Sequence, residues 1–221
     1  MRILHISDSH GIPREPQESF DVVVHSGDLL PNGSYGVRDV ETAFQPRWLE
    51  QNAARFPNAF RGKPFIYVPG NHDFVDPAPY LKAHGILART LVDEVVEVNG
   101  LRFWGHPWTP PFFDWNYMLR PEAMKLKLDR LVQALKNEKV DVVVSHGPMF
   151  GVLDRNADGD RCGCKQLRAV LATTTAPPRA LLHGHIHESP GLTRWRSQRS
   201  RVDQQTVLVS NAATTQRVIE L

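Results

Sequence analysis

Cysteine is almost missing from this sequence. Only two of its 221 residues, Cys162 and Cys164, are cysteine, so no disulfide framework holds the chain. As a Cys-x-Cys pair they offer half of a zinc site with no second thiolate pair, and they read as reduced structural residues. No apolar run approaches the roughly 20 residues that cross a bilayer as a helix. Neither sign of charge is in excess. Lys and Arg number 26 against 24 Asp and Glu, a formal +2, so the chain as a whole does not read as a nucleic-acid or membrane binder. The opening run Met1 to Asp8 is too short for a signal peptide and is interrupted by a carboxylate, which sets the expectation of a cytoplasmic protein. The length suits one α/β domain over residues 1–221.

Histidine is plentiful, ten in all, and half of these close short apolar runs. Arg2-Ile3-Leu4-His5-Ile6-Ser7 is a strand candidate that runs into Asp8-Ser9-His10-Gly11. The β-branched run Phe20 to Ser26 ends in Gly27-Asp28. Lys63 to Pro69 delivers Gly70-Asn71-His72-Asp73, and Val140 to Val144 delivers Ser145-His146-Gly147-Pro148. A last apolar run ends in Gly184-His185-Ile186-His187. In extended backbone, residues two apart share a side, which pairs Asp8 with His10 and His185 with His187. Open α/β sheets place their ligands beyond the carboxyl ends of the strands.

The rest of the chain is scaffold. Residues 31–62 read as an excursion without chemistry: loop residues Asn32 to Gly36, then helical spacing from Val37 to Phe56, interrupted or restarted at Pro46. Further helices are expected over 78–84, 121–137 and 165–172, the second with an apolar stripe of Met124, Leu128, Leu131, Val132 and Leu135. Asn99-Gly100 between two strand candidates predicts a hairpin. His106 to Tyr117 packs five aromatics and three prolines into twelve residues, which suits a satellite core and one wall of a substrate pocket equally. Asp154, Asp158 and Asp160 lack the terminal glutamate of a calcium loop. The basic stretch Thr193 to Arg201 reads as a solvated hairpin tip before a nucleic-acid contact. His5, His25, His84, His106 and His183 read as structural or supporting groups.

The collected strand ends are Asp8, His10, Asp28, Asn71, His72, His146, His185 and His187. Carboxylates, an amide and imidazoles without thiolate suit two borderline divalent metals, manganese first, with iron and zinc also accepted. Two such metals clamp the attacking and leaving oxygens of an in-line phosphoryl displacement. One carboxylate must bridge them, and Asp28, between the two ligand groups in the chain, is the natural candidate.

This series resembles the calcineurin-like metallophosphoesterases: Asp-x-His, Gly-Asp, Gly-Asn-His-Asp, His and Gly-His-x-His, in that order, over residues 8 to 187. The second half, with Gly105-His106-Pro107-Trp108, Gly163-Cys164 and Gly184-His185-Ile186-His187-Glu188, is similar to the metallophosphoesterase domain-containing branch of that family. The resemblance implies a two-sheet α/β/β/α sandwich with a binuclear metal site at the strand C-terminal ends. It implies one metal on Asp8, His10, Asp28 and His187, and a second on Asp28, Asn71, His146 and His185. It implies that His72 stabilises the transition state or protonates the leaving oxygen, that Asp73 orients His72, and that a hydroxide held between the metals attacks phosphorus.

Charge separates diester from monoester. Two divalent metals, two carboxylates and one bridging hydroxide leave a single positive charge, which suits a singly charged phosphodiester; the resemblance to the metallophosphoesterase domain-containing branch implies cyclic-nucleotide-type esters. A doubly charged monoester calls for added arginines. None follows Asp28 within Leu29 to Gly33, and none lies in Gly70 to Asp76; a distant one, Arg38 or Arg155, would have to fold back. The expected partner is a small phosphodiester or nucleotide. The rivals are a monoesterase, a nuclease using the basic hairpin, and a catalytically weak nucleotide-binding scaffold, against which the complete ligand set speaks.

Overall fold

The computed structural model describes residues 1–196 and 206–221. Eleven strands form two sheets among the described residues. The first is ordered β11 (Gln216–Glu220), β1 (Arg2–Ile6), β2 (Val22–His25), β3 (Pro64–Tyr67) and β4 (Leu87–Thr90). The second is ordered β5 (Val95–Val98), β6 (Leu101–His106), β7 (Val142–Ser145), β8 (Ala180–His183), β10 (Thr206–Asn211) and β9 (Gly191–Arg196). β1 to β4 run parallel, as do β6, β7, β8 and β10, while β11, β5 and β9 close the edges antiparallel.

Strand alternation builds three apolar layers. Ile3, Val22, Val24 and Ile66 face Phe103, Val142, Val144 and Leu182 between the sheets. Their neighbours Leu4, Val23 and Phe65 turn outward beneath α1 (Arg38–Asn52) and α2 (Ala78–Ala83). On the other side Val143, Leu181 and Val209 pack beneath α3 (Pro121–Asn137) and α4 (Lys165–Thr173). The expected α/β/β/α sandwich is therefore present. Burial on both faces explains why the central strands are continuous Val and Leu runs rather than alternating ones.

The hairpin forms as expected. Val98 pairs with Leu101, and Asn99 and Gly100 take φ 50° and 79°, the left-handed pair that a two-residue turn needs. Two local expectations are corrected. Pro46 neither breaks nor restarts its helix: α1 runs through it, because Glu41, Gln45 and Leu49, one turn apart, are buried and hold the helix on both sides of the proline. β4 went unread because, of its four residues, only Ala88 is buried, too weak an alternation to register. The expected basic hairpin tip lies outside the described residues beyond Arg196. No described helix is long and apolar enough to cross a membrane.

Candidate metal centre

Because β1, β2, β3, β7 and β8 run parallel within their sheets, their carboxyl ends open along one edge of the sandwich, and the five residue groups meet there. Donor atoms of Asp8, His10 and His187 lie within 4.8 Å of one another, and so do those of His10, Asp28 and His72 and those of Asp28, His146 and His185. Asp28 belongs to two of these groups. Its Oδ2 lies 3.4 Å from His146 Nε2 and 3.9 Å from the Nε2 atoms of both His10 and His72. Asn71 joins through its Oδ1, 2.8 Å from His146 Nε2.

The backbone bends sharply to achieve this. Asp8, His10, Asp28 and His185 all take left-handed φ, at 53°, 43°, 54° and 70°. Such conformations cost about 1–3 kcal/mol each and concentrate at functional sites. Two glycines make room. A Cβ on Gly184 would lie 1.9 Å from Ser7 Oγ and 2.1 Å from Asp8 Oδ2, and one on Gly70 would lie 2.2 Å from Asp28 Oδ1. The glycine of each motif is required by the carboxylate beside it.

Hydrogen bonds aim the side chains. The His185 backbone N–H donates to Asp8 at 3.0 Å, and the His72 backbone N–H donates to Asp28 Oδ1 at 2.8 Å. His146 Nδ1 donates to the Ser26 carbonyl at 3.0 Å. In the neutral form that a metal ligand must take, the His146 Nε2 lone pair faces the Asn71 oxygen at 2.8 Å and His185 Nδ1 at 3.1 Å. Lone pairs directed at one another at these distances need a positive charge between them, a proton or a metal ion. The residues present thus fit divalent metals.

In the absence of a metal, a proton on His146 takes the place of the cation. Burial would push the Asp28 carboxyl up, but His146 and then His72 and His10 hold it well below the usual carboxylate range. Burial lowers His146, yet the charge and hydrogen bond of Asp28 outweigh that and raise it to about 9. Burial and then His146 bring His185 down to about 4. His187 is raised by its hydrogen bond to Asp8, 3.2 Å away.

Asp73 does not touch the His72 ring, contrary to the orienting role expected of it. It is buried, and its carboxylate accepts from the backbone N–H groups of Asp28, Leu30 and Gly70, each at 2.8 Å. Burial and the charge of Asp28 raise it to about 6. It ties the Asp28 and His72 loops together through the backbone. The ring instead bonds through Nδ1 to Asn32 Oδ1 at 2.8 Å.

The excursion over residues 31–62, expected to hold no chemistry, reaches the site at this point. Gln45 of α1 donates to the His72 carbonyl at 2.7 Å and accepts from the Phe74 N–H at 2.9 Å. Asn32, Glu41 and Gln45 were missed because loop and helix positions facing a distant segment leave no local pattern.

A cavity of about 750 Å³ opens over the cluster. Asp28, Asn71, His72, His185 and His187 line it, together with Tyr35, Phe112, Phe113 and Trp115 and with Phe150, Arg161, Cys162 and Lys165. The aromatic loop both packs on itself and lines the cavity. Trp108 packs on Tyr117 and donates to Asp93 at 2.9 Å, whereas the Trp115 ring lies tilted against the His72 ring, 4.0 Å between centroids. Among the described residues the arginine lining the cavity is Arg161. Arg38 lies over Phe74 and Arg155 donates to the Gly159 carbonyl. Cys164 accepts from the Leu167 N–H at the start of α4, and both cysteines are free.

The calcineurin-like phosphoesterase family model matches residues 1–189. Metallophosphoesterase domain-containing protein 1 of Homo sapiens and of Mus musculus are each 27% identical over 222 aligned positions. Those alignments cover 86% of this chain and 62% of each relative, so the chain spans less than two thirds of their length. A solved crystal structure superposes with a TM-score of 0.64 at 16% identity, over 96% of this chain and 90% of that one, a likeness of fold.

Proposed function

This chain belongs to the calcineurin-like phosphoesterase family, and from that premise we propose that it is a binuclear metal-dependent hydrolase of small phosphodiesters, cyclic-nucleotide-type esters among them, working in the cytoplasm with manganese as its preferred metal. The observation that carries the reading is the position of Asp28, whose Oδ2 lies 3.9 Å from the Nε2 atoms of His10 and His72 and 3.4 Å from that of His146. Asp8, His10, Asp28 and His187 would hold one cation, and Asp28, Asn71, His146 and His185 the other. When bound, the cations supply Lewis acidity and a nucleophile at neutral pH.

The protein's own groups supply the rest. His72 faces the cluster through Nε2, and with both ring nitrogens protonated it can stabilise or protonate a leaving oxygen there. Asp73 keeps the loops of Asp28 and His72 in register. Trp115 blocks one face of the His72 ring and limits its swing. The two free thiols accord with a reducing compartment.

A monoesterase is the second reading, and Arg161 is the observation that favours it. Its guanidinium is, however, 2.8 Å from the carboxylate of Asp154, which is fully buried, and that partner offsets its charge. Lys165 is the other cation lining the cavity among the described residues, and Glu188 lines it too. The cavity therefore gains little positive charge beyond the metals, which supports the diester.

The test is hydrolysis of a chromogenic phosphodiester beside the matching monoester, by protein stripped of metal and resupplied with Mn²⁺. Turnover that returns with metal and favours the diester supports the proposal. Preference for the monoester overturns the specificity. Bound metal without turnover of either overturns the hydrolase reading in favour of a binding scaffold.

A further inference from the structure

We propose that Asp154 is a specificity-determining residue: it binds Arg161 to the protein, withholds that guanidinium from substrate phosphate, and so turns the cavity against doubly charged monoesters. The inference rests on the diester reading of the same site.

Asp154 is fully buried. Its Oδ2 accepts from the backbone N–H groups of Gly151 at 2.7 Å and Gly163 at 3.3 Å. Its Oδ1 accepts from Arg161 Nη1 at 2.8 Å. If Arg161 swung away toward a phosphate, Oδ1 would be left charged, buried and without that donor. Breaking such a pair costs far more than losing an exposed one. Arg161 lines the cavity, yet its charge is spent on the loop that carries it.

That loop cannot shift the pair as a unit. Arg155 and Arg161 form an antiparallel bridge, and the Cys162 N–H donates to the Asp154 carbonyl at 2.9 Å. Asn156 Oδ1 closes the turn, accepting from the N–H groups of Asp158 at 3.1 Å and Asp160 at 2.8 Å. Ser189 Oγ donates to the Arg155 carbonyl at 2.7 Å, which ties this hairpin to the chain just after His187. Lys165 is exposed and lies over the Phe150 ring, so solvent and salt screen its charge.

Asp154→Asn separates charge from structure. An asparagine whose amide oxygen takes the place of Oδ2 keeps the bonds from Gly151 and Gly163. Its Nδ2 then faces Arg161 and cannot accept from it. The released guanidinium carries a full charge and a fork of donors that suits a phosphate dianion.

The experiment uses the full chain loaded with Mn²⁺ at about pH 8, where a monoester carries two charges. Turnover of bis-para-nitrophenyl phosphate and para-nitrophenyl phosphate is measured beside calorimetric binding of inorganic phosphate and dimethyl phosphate. In Asp154→Asn the monoester-to-diester ratio of kcat/KM should rise about ten- to a hundredfold, the scale of one charged hydrogen bond. Metal content should be unchanged, and inorganic phosphate should tighten relative to dimethyl phosphate. Adding Arg161→Gln should bring the ratio back to within about threefold of wild type, as expected of two coupled residues.

An unchanged ratio in folded, metal-loaded Asp154→Asn would overturn the proposal and leave the diester reading intact. So would a gain that survives the addition of Arg161→Gln. If Asp154→Asn alone does not fold, the double variant decides, because a tenfold fall in its ratio would show that Arg161 already grips the monoester in wild-type protein. Wild-type preference for the monoester would overturn the diester reading, and the shift on Asp154→Asn would still decide the role of Asp154. If wild-type protein turns over neither ester, the hydrolase reading fails, and the phosphate binding comparison alone decides that role.

Discussion

The indole of Trp115 lies against the imidazole of His72, centroid to centroid 4.0 Å at 41° between planes. The same loop is latched to the loop of His72: Asn116 Nδ2 donates to the Asp73 carbonyl at 2.6 Å, and the Asn116 N–H donates to the Asn71 carbonyl at 3.1 Å. An aromatic loop from the second sheet thus closes over a motif from the first. Replacing Trp115 with alanine should leave metal content unchanged while lowering kcat/KM for a phosphodiester by about tenfold, the scale of one lost aromatic pair. Trp115→Phe should fall between. Steady-state kinetics beside elemental analysis checks this.

Metal stoichiometry tests the placement of Asp28. Asp28→Asn should lose both cations, because its carboxylate lies within reach of both ligand groups. His187→Ala touches only the group of Asp8 and His10 and should retain one cation. Elemental analysis after gel filtration separates the outcomes. Equal losses in the two variants would contradict a bridging role.

Glycine geometry makes a contrast inside one molecule. Gly184→Ala should cost about 1–3 kcal/mol through overpacking against Ser7 and Asp8 and should weaken metal binding as well. Gly62 has φ 70° and nothing within 4 Å of an added Cβ. Gly62→Ala should cost only the backbone strain of a left-handed residue, about 1–2 kcal/mol, with metal affinity unaltered. Chemical denaturation and metal titration together check both.

Stability should fall in mild acid. Burial holds His106 at about 4, below its ordinary value of 6.5, and neither ring nitrogen has a hydrogen-bond partner among the described residues. Burial likewise holds His5 well below the ordinary value. The unfolded chain then binds protons that the native state refuses. Stability is therefore full above pH 6.5 and is lost as pH falls toward 4, by about 1.4 kcal/mol per pH unit for each such group. His106→Gln should flatten that slope, read from denaturation midpoints between pH 5 and 7.

Much of the site was legible because its chemistry lies on short local patterns. A buried parallel strand writes itself as a Val or Leu run, and the residue after it must leave the sheet at the edge where its neighbours also end. Asp8, His10, Asp28, Asn71, His146, His185 and His187 were all visible for that reason. The hairpin at Asn99-Gly100 and the stripe of α3 were legible on the same local grounds.

The supporting contacts were not. Which partner holds the His72 ring depends on a loop 40 residues away in sequence. That loop's position depends on Glu41 and Gln45, whose burial follows from how α1 packs on the first sheet. Asp73 looked like the ring's neighbour because it follows it in the chain, yet the turn directs its carboxylate to the backbone of Gly70 and of the Asp28 loop. The strand ends, the donor side chains they carry and the glycines that let carboxylates approach could be read along the chain, since these follow from local backbone geometry. Only the tertiary structure decided that Asn32 faces His72, that Trp115 covers it and that Asp154 offsets Arg161, because hydrogen bonds and ring contacts between distant segments leave no periodic trace in a chain.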